Sequence, residues 1–97
     1  MATANKLISW DLGCTPDKIH VHVRKDRQEI ASAELAGDAT SFPFTIVTDC
    51  SFYDFTVYAV NAAGKVVGAG WKAIREGANC PGSDCVSNVE INAAPPP

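Results

Sequence analysis

A chain of 97 residues with a formal net charge of −3 is one domain with room for a modest core. Apolar residues make up 46% and charged residues 20%, an ordinary globular balance with the charged share slightly low. The acidity argues against nucleic acid or an anionic membrane as the main partner, since phosphates call for a basic surface. No apolar run approaches the roughly 18–20 residues that span a bilayer, so no membrane insertion is expected.

Residues 6–12 make the first expected strand, with Ile8, Trp10 and Leu12 on one face. Gly13-Cys14-Thr15-Pro16-Asp17 is a loop. Lys18–Lys25 is the clearest alternation: Ile19, Val21 and Val23 on one side, His20, His22 and Arg24 on the other. β-Branched residues at the inward positions suit a pleated surface. Asp26-Arg27-Gln28 turns the chain, and the basic cluster from Arg24 to Arg27 is short, carries an acid and reads as a solvated turn. Residues 29–36 set Ala31, Ala33 and Leu35 against Ile30, Ser32 and Glu34. Ala, Glu and Leu favour helix, but the segment is short, uncapped and bounded by turns, so a strand is expected.

Gly37-Asp38-Ala39-Thr40 is the next loop, and Phe42, Phe44 and Ile46 mark a further strand. Pro43 within it cannot donate a ladder hydrogen bond, which predicts an edge strand with Pro43 facing out. In residues 52–64, Tyr53, Phe55, Val57 and Ala59 form an inward set and Asp54, Thr56 and Tyr58 fill the gaps, before a turn from Asn61 to Gly64. Residues 65–74 are the last strong strand, where Gly68 and Gly70 mark a bulge or a close backbone approach and Trp71 stands beyond them. Residues 76–85 form a loop carrying Cys80 and Cys85. Residues 86–93, from Val86 to Ala93, alternate Val89 and Ile91 with Asn88, Glu90 and Asn92 as one more strand, and residues 94–97 read as a Pro-rich linker. About seven short strands with regular turns and no credible helix predict a single all-β domain, an antiparallel β-sandwich.

Cys14, Cys50, Cys80 and Cys85 are an even count in a small chain, the pattern of two disulfides made in an oxidising compartment. The first residues, Met-Ala-Thr-Ala-Asn-Lys, contain no apolar core of a signal peptide. The two observations are reconciled by a module excised from a longer extracellular or cell-surface protein.

One family pattern accommodates these residues. Val47, Ser51 and Tyr53, followed by Val57, Ala59, Asn61 and Gly64, resemble the fibronectin type III run Leu-x-Pro-Gly-Thr-x-Tyr, then x-Val-x-Ala-x-Asn and a Gly turn. Ser9-Trp10-Asp11 is similar to the family's second strand with its buried Trp. Ile19, Val21 and Val23 look like the third, Phe42, Phe44 and Ile46 like the fifth, and residues 65–74 like the last. The resemblance covers residues 6–75 and implies an immunoglobulin-like sandwich with Tyr53 at its corner. It departs where Pro-Gly becomes Asp49-Cys50. An antibody-type domain would need a Cys two residues after the corner Tyr, where this chain has Phe55. The family's first strand has no counterpart before residue 6, while residues 86–93 look like it. A repeat cut out of phase, a circular permutation, or a strand inserted into a neighbouring molecule would each produce this order.

The resemblance also orders the cysteines. It sets Cys50 at the end of the sandwich where the last strand finishes, near Cys80 and Cys85, with Cys14 at the opposite end. Cys14–Cys50 is then disfavoured, because strands of about six residues separate the ends by roughly 20 Å and a disulfide needs Cα atoms within about 7 Å. Cys50 with Cys80 or Cys85 is favoured over a small Cys80–Cys85 loop. Cys14 then meets the remaining cysteine only if the tail travels the length of the domain. Zinc on Cys80, Cys85 and the two histidines is a weaker alternative, with loose spacing and histidines far away in sequence, so no metal or other cofactor is expected.

His20 and His22 share the outward face of one strand, Thr56 and Tyr58 that of its neighbour, and Trp71 joins from the last strand. An aromatic and imidazole patch of this kind suits a protein or glycan partner, because rigid aromatics give contact area at low entropic cost. Cross-strand packing on a solvated face is the plainer reading of the same residues. Catalysis has no motif to support it: there is no Gly-x-Ser-x-Gly, no His-Glu-x-x-His and no phosphate-binding Gly loop. The expectation is a non-enzymatic extracellular module for adhesion, spacing or assembly. A carbohydrate-binding module of a secreted enzyme and a strand-exchanging subunit that self-associates through residues 86–93 are the alternatives.

Overall fold

The computed structural model describes residues 2–78 and 80. Those residues form six strands and no helix: β1 (Thr3–Ser9), β2 (Lys18–Lys25), β3 (Gln28–Ala36), β4 (Ser41–Val47), β5 (Tyr53–Val60) and β6 (Val66–Ile74). All pairings are antiparallel, in a two-stranded sheet β1-β4 and a four-stranded sheet β3-β2-β5-β6. The arrangement is all-β and fits a β-sandwich. The seventh expected strand, residues 86–93, lies outside the described residues, as does the expected linker.

The alternation of β2 produces the core. Ile19, Val21 and Val23 are fully buried, and with Ile46, Tyr53, Phe55 and Ala59 they form the buried cluster. The inward residues of the small sheet close over it: Phe44 meets Phe55 edge-on at 5.7 Å and Tyr53 at 6.4 Å between ring centroids. Burying each large apolar side chain stabilises the fold by roughly 1.5–3 kcal/mol. Pro43 is exposed on β4, whose only partner among the described residues is β1, as an edge position requires.

Two turns set the registers. Asp26 and Arg27 both have positive φ (49° and 75°), the twist that a two-residue hairpin needs between β2 and β3. The Asp26 carboxylate accepts the Phe52 N–H at 3.0 Å and the Asp26 N–H donates to the Phe52 carbonyl at 2.8 Å. This ties the hairpin to the start of β5. Between β5 and β6, the Asn61 side-chain oxygen accepts the N–H groups of Ala63 and Lys65, both at 3.0 Å, and Gly64 takes φ 80°, which only glycine adopts without cost.

Three expectations are corrected in detail. β1 runs over Thr3–Ser9 rather than residues 6–12, because β4 offers partners from Val47 back to Ser41 and none beyond. The chain then peels away: the Trp10 N–H donates to the Thr40 carbonyl at 3.0 Å and the indole Nε1–H to the Ala39 carbonyl at 2.9 Å. Trp10 therefore packs half-buried at the rim of the core rather than within a strand. Val57 points inward but is only half-buried, because the residue opposite it on β6 is Gly70. The expected bulge lies at Val67, between the pairs Ala59–Gly68 and Val60–Val66.

Candidate functional site

The outward residues of β2, β5 and β6 line up in rows. His20 stands between Glu34 on β3 and Tyr58 on β5, and Tyr58 faces Ala69 on β6. His22 stands between Ser32 and Thr56, and Thr56 faces Trp71. The His22 and Tyr58 rings meet edge-on at 5.9 Å, and His22 Nδ1 lies 2.5 Å from Glu29 Oε1. His20, His22, Thr56 and Tyr58 are half-buried, whereas Trp71 is 71% exposed. All five predicted residues share one sheet face, with Trp71 at its β6 edge.

Ion pairs border this face at both ends. Lys18 and Glu34 are 2.5 Å apart, and the bond holds the Glu34 carboxyl below its usual range and the Lys18 ammonium above its own. At the other end Arg24 Nε donates to Asp54 Oδ1 at 2.8 Å, which raises the guanidinium pKa further. Asp54 is 5% exposed, a buried carboxylate whose charge is met by Arg24. Sequence reasoning singled out neither pair. Their parity was visible, since Arg24 alternates with His20 and His22, and Asp54 with Thr56 and Tyr58, but only cross-strand register shows that they meet.

The cysteines are settled in part. Cys50 and Cys80 form a disulfide with Cα atoms 5.4 Å apart, one of the two favoured pairings. Cys14 is exposed and has no disulfide partner among the described residues, and Cys85 lies outside them. The local backbone is shaped for the bond. Cys50 takes φ 65°, its N–H donates to the Glu76 carbonyl at 2.9 Å, and Asp49 bridges to Gly77. A Cβ on Gly77 would lie 2.8 Å from Cys50 Sγ and from the Thr48 carbonyl. Asp49 Oδ1 accepts the Ser51 N–H at 3.1 Å, and the hydrogen bonds from Ser51 hold the Asp49 carboxyl below the ordinary range. With its sulfur bonded to Cys50, Cys80 is not a thiolate for the zinc arrangement, and His20 and His22 stand on β2.

No family model, curated protein or solved structure matches the chain.

A second feature lies between the sheets. A cleft of about 590 Å³ opens where Ile8, Trp10 and Leu12 face Val57, Gly68 and Gly70. Cys14 is among its lining residues, in the loop leading to Asp17, whose N–H donates to the Val60 carbonyl at 2.8 Å at the end of β5. The sequence marked both glycines for a bulge or a close backbone approach; the bulge lies next to Gly68, and at Gly70 there is open space.

Proposed function

We propose that the chain is a non-enzymatic, extracellular module of fibronectin type III type that engages a protein partner through the outer face of its four-stranded sheet. The observation that carries the binding role is the row His22–Thr56–Trp71, in which an indole 71% exposed stands beside hydrogen-bonding side chains on paired strands. Indole, phenol and imidazole together offer apolar contact and directional hydrogen bonds at little cost in side-chain entropy. The module type is supported by Tyr53, whose hydroxyl accepts the Val47 N–H at 3.0 Å across the β4–β5 corner, as a tyrosine corner does. The pairing of β1 with β4 and of β2, β5 and β6 in the second sheet is consistent with it. The Cys50–Cys80 disulfide suits an oxidising compartment.

The test is attachment of cells of the source organism to surfaces coated with the full chain. Tyr58→Ala/Trp71→Ala should lower attachment about tenfold or more, as central aromatic anchors do, with circular dichroism unchanged. Equal attachment by both proteins would overturn the binding face. The exposed Trp71 ring beside the Thr56 hydroxyl also favours a second reading, a carbohydrate-binding module, because sugar rings stack on such indoles. Hits on a glycan array that vanish with Trp71→Ala would select it.

A further inference from the structure

β1 carries an open backbone edge, since its only ladder partner among the described residues is β4. The outer edge of β4 is blunted by Pro43, which has no N–H, whereas β1 contains no proline. Beside the β1 edge lies the apolar cleft. It exists because β6 turns Gly68 and Gly70 toward the interior, opposite Ala59 and Val57. A Cβ on Gly70 would meet nothing within 4 Å. An unpaired edge beside an apolar slot is the footprint of one more strand.

We propose that residues 86–93 of the same chain add to β1 as an antiparallel strand, fill the cleft with Val89 and Ile91, and are fastened by a Cys14–Cys85 disulfide. Alternation fits, because a strand over these residues would put Val89 and Ile91 on one side and Asn88, Glu90 and Asn92 on the other. Length fits too, as the eight residues of the segment are enough to cover the seven of β1. Direction follows from where the tail starts. Cys80 is held by Cys50 at the end of the domain where Thr3 pairs with Val47. Cys14 lines the cleft and stands three residues before Asp17, whose N–H bonds the Val60 carbonyl at the other end. A chain that reaches Cys14 at residue 85 and then returns along β1 runs opposite to it.

The reach closes. From the level of Tyr53 to that of Ala59 is about 20 Å at the rise of a strand. The five peptide steps from Cys80 to Cys85 span up to about 18 Å when extended, and a disulfide adds up to about 7 Å between Cα atoms. The short tether favours the chain's own groove over a neighbour's, since tethering makes the contact intramolecular, at effective concentrations on the order of millimolar. Bond formation consumes a disulfide oxidant: two thiols lose two protons and two electrons, the Cys14–Cys85 bond forms, and the oxidant's disulfide is reduced to two thiols.

The test is non-reducing peptide mapping of the full chain oxidised with glutathione disulfide, after alkylation of free thiols. The expected result is a Cys14–Cys85 cross-linked peptide in monomeric protein with no alkylated cysteine. Alkylated Cys14 and Cys85, or their linkage only within covalent dimers, would overturn the proposal. Hydrogen exchange on the full-length Cys14→Ser/Cys85→Ser variant tests the strand separately. Adding Val89→Asp and Ile91→Asp should speed exchange of alternate β1 amides at least about tenfold, as loss of a ladder exposes them. Unchanged β1 exchange would refute strand addition.

Discussion

Tyr53→Phe removes one oxygen atom from a side chain that is 2% exposed. That oxygen accepts the Val47 N–H at 3.0 Å, where β4 ends and the chain turns toward β5. The ring stays and keeps its contact with Phe44 and the Lys25 ammonium 5.7 Å from its centroid. The loss is therefore one hydrogen bond, with a half-buried amide left without its acceptor, a cost of about 1–2 kcal/mol. For a domain of this size, each kcal/mol lowers Tm by roughly 4–8 °C. Urea and thermal unfolding followed by circular dichroism, on oxidised protein, measure both quantities. Tyr58→Phe serves as the control, because that hydroxyl lies on the outward face and its loss should stay within about 0.5 kcal/mol. If Tyr53→Phe unfolds at the same urea midpoint as the parent, the corner bond does not hold β4 to β5 and the argument for this module type loses its main support.

Asp49 gives a pH signature. Its folded pKa lies below the ordinary value near 3.8, so its contribution is complete above that value and disappears as pH falls through the lower folded value. Asp49→Asn should therefore flatten the acid limb of stability against pH, read as the difference in urea midpoint between pH 6 and about pH 2.5. Gly77→Ala should hinder the disulfide, because the new methyl group would press on Cys50 Sγ and the Thr48 carbonyl. Mass spectrometry after alkylation would then find reduced Cys50 and Cys80 where the parent has none. Asn61→Ala should cost about 1–2 kcal/mol through two lost side-chain hydrogen bonds in the β5–β6 turn.

The strand pattern was legible because one face is buried. Ile19, Val21 and Val23 announced β2 through alternation alone, and Tyr53, Phe55 and Ala59 announced β5. β3 was legible as a strand despite the helix-favouring composition of Ala31, Ala33 and Glu34, because bounding turns outweighed propensity. The ends of β1 were not legible, since a ladder ends where its partner does and Thr40 and Ser41 are far away in sequence. The outward set His20, His22, Thr56, Tyr58 and Trp71 followed from parity. The Arg24–Asp54 and His22–Glu29 contacts did not, because parity gives a face but not which residues stand opposite. The cleft was hidden for a related reason: a glycine in a strand signals either crowding or vacancy, and only the facing side chains decide which.

The pairing of β1 with β4 also has a consequence in time. β2–β3 and β5–β6 are joined by tight turns and close short loops, whereas Thr3 must find Val47 and Ser9 must find Ser41. Loop-closure entropy grows with separation, so hairpins form early and distant pairings late. During synthesis β1 emerges before β4 and waits for it with Ala4 and Ile8 uncovered. Folding rates of Ile8→Val should then match the parent while unfolding accelerates, the mark of a contact made after the transition state. A strand made before its partner is thus among the last of the described strands to pair.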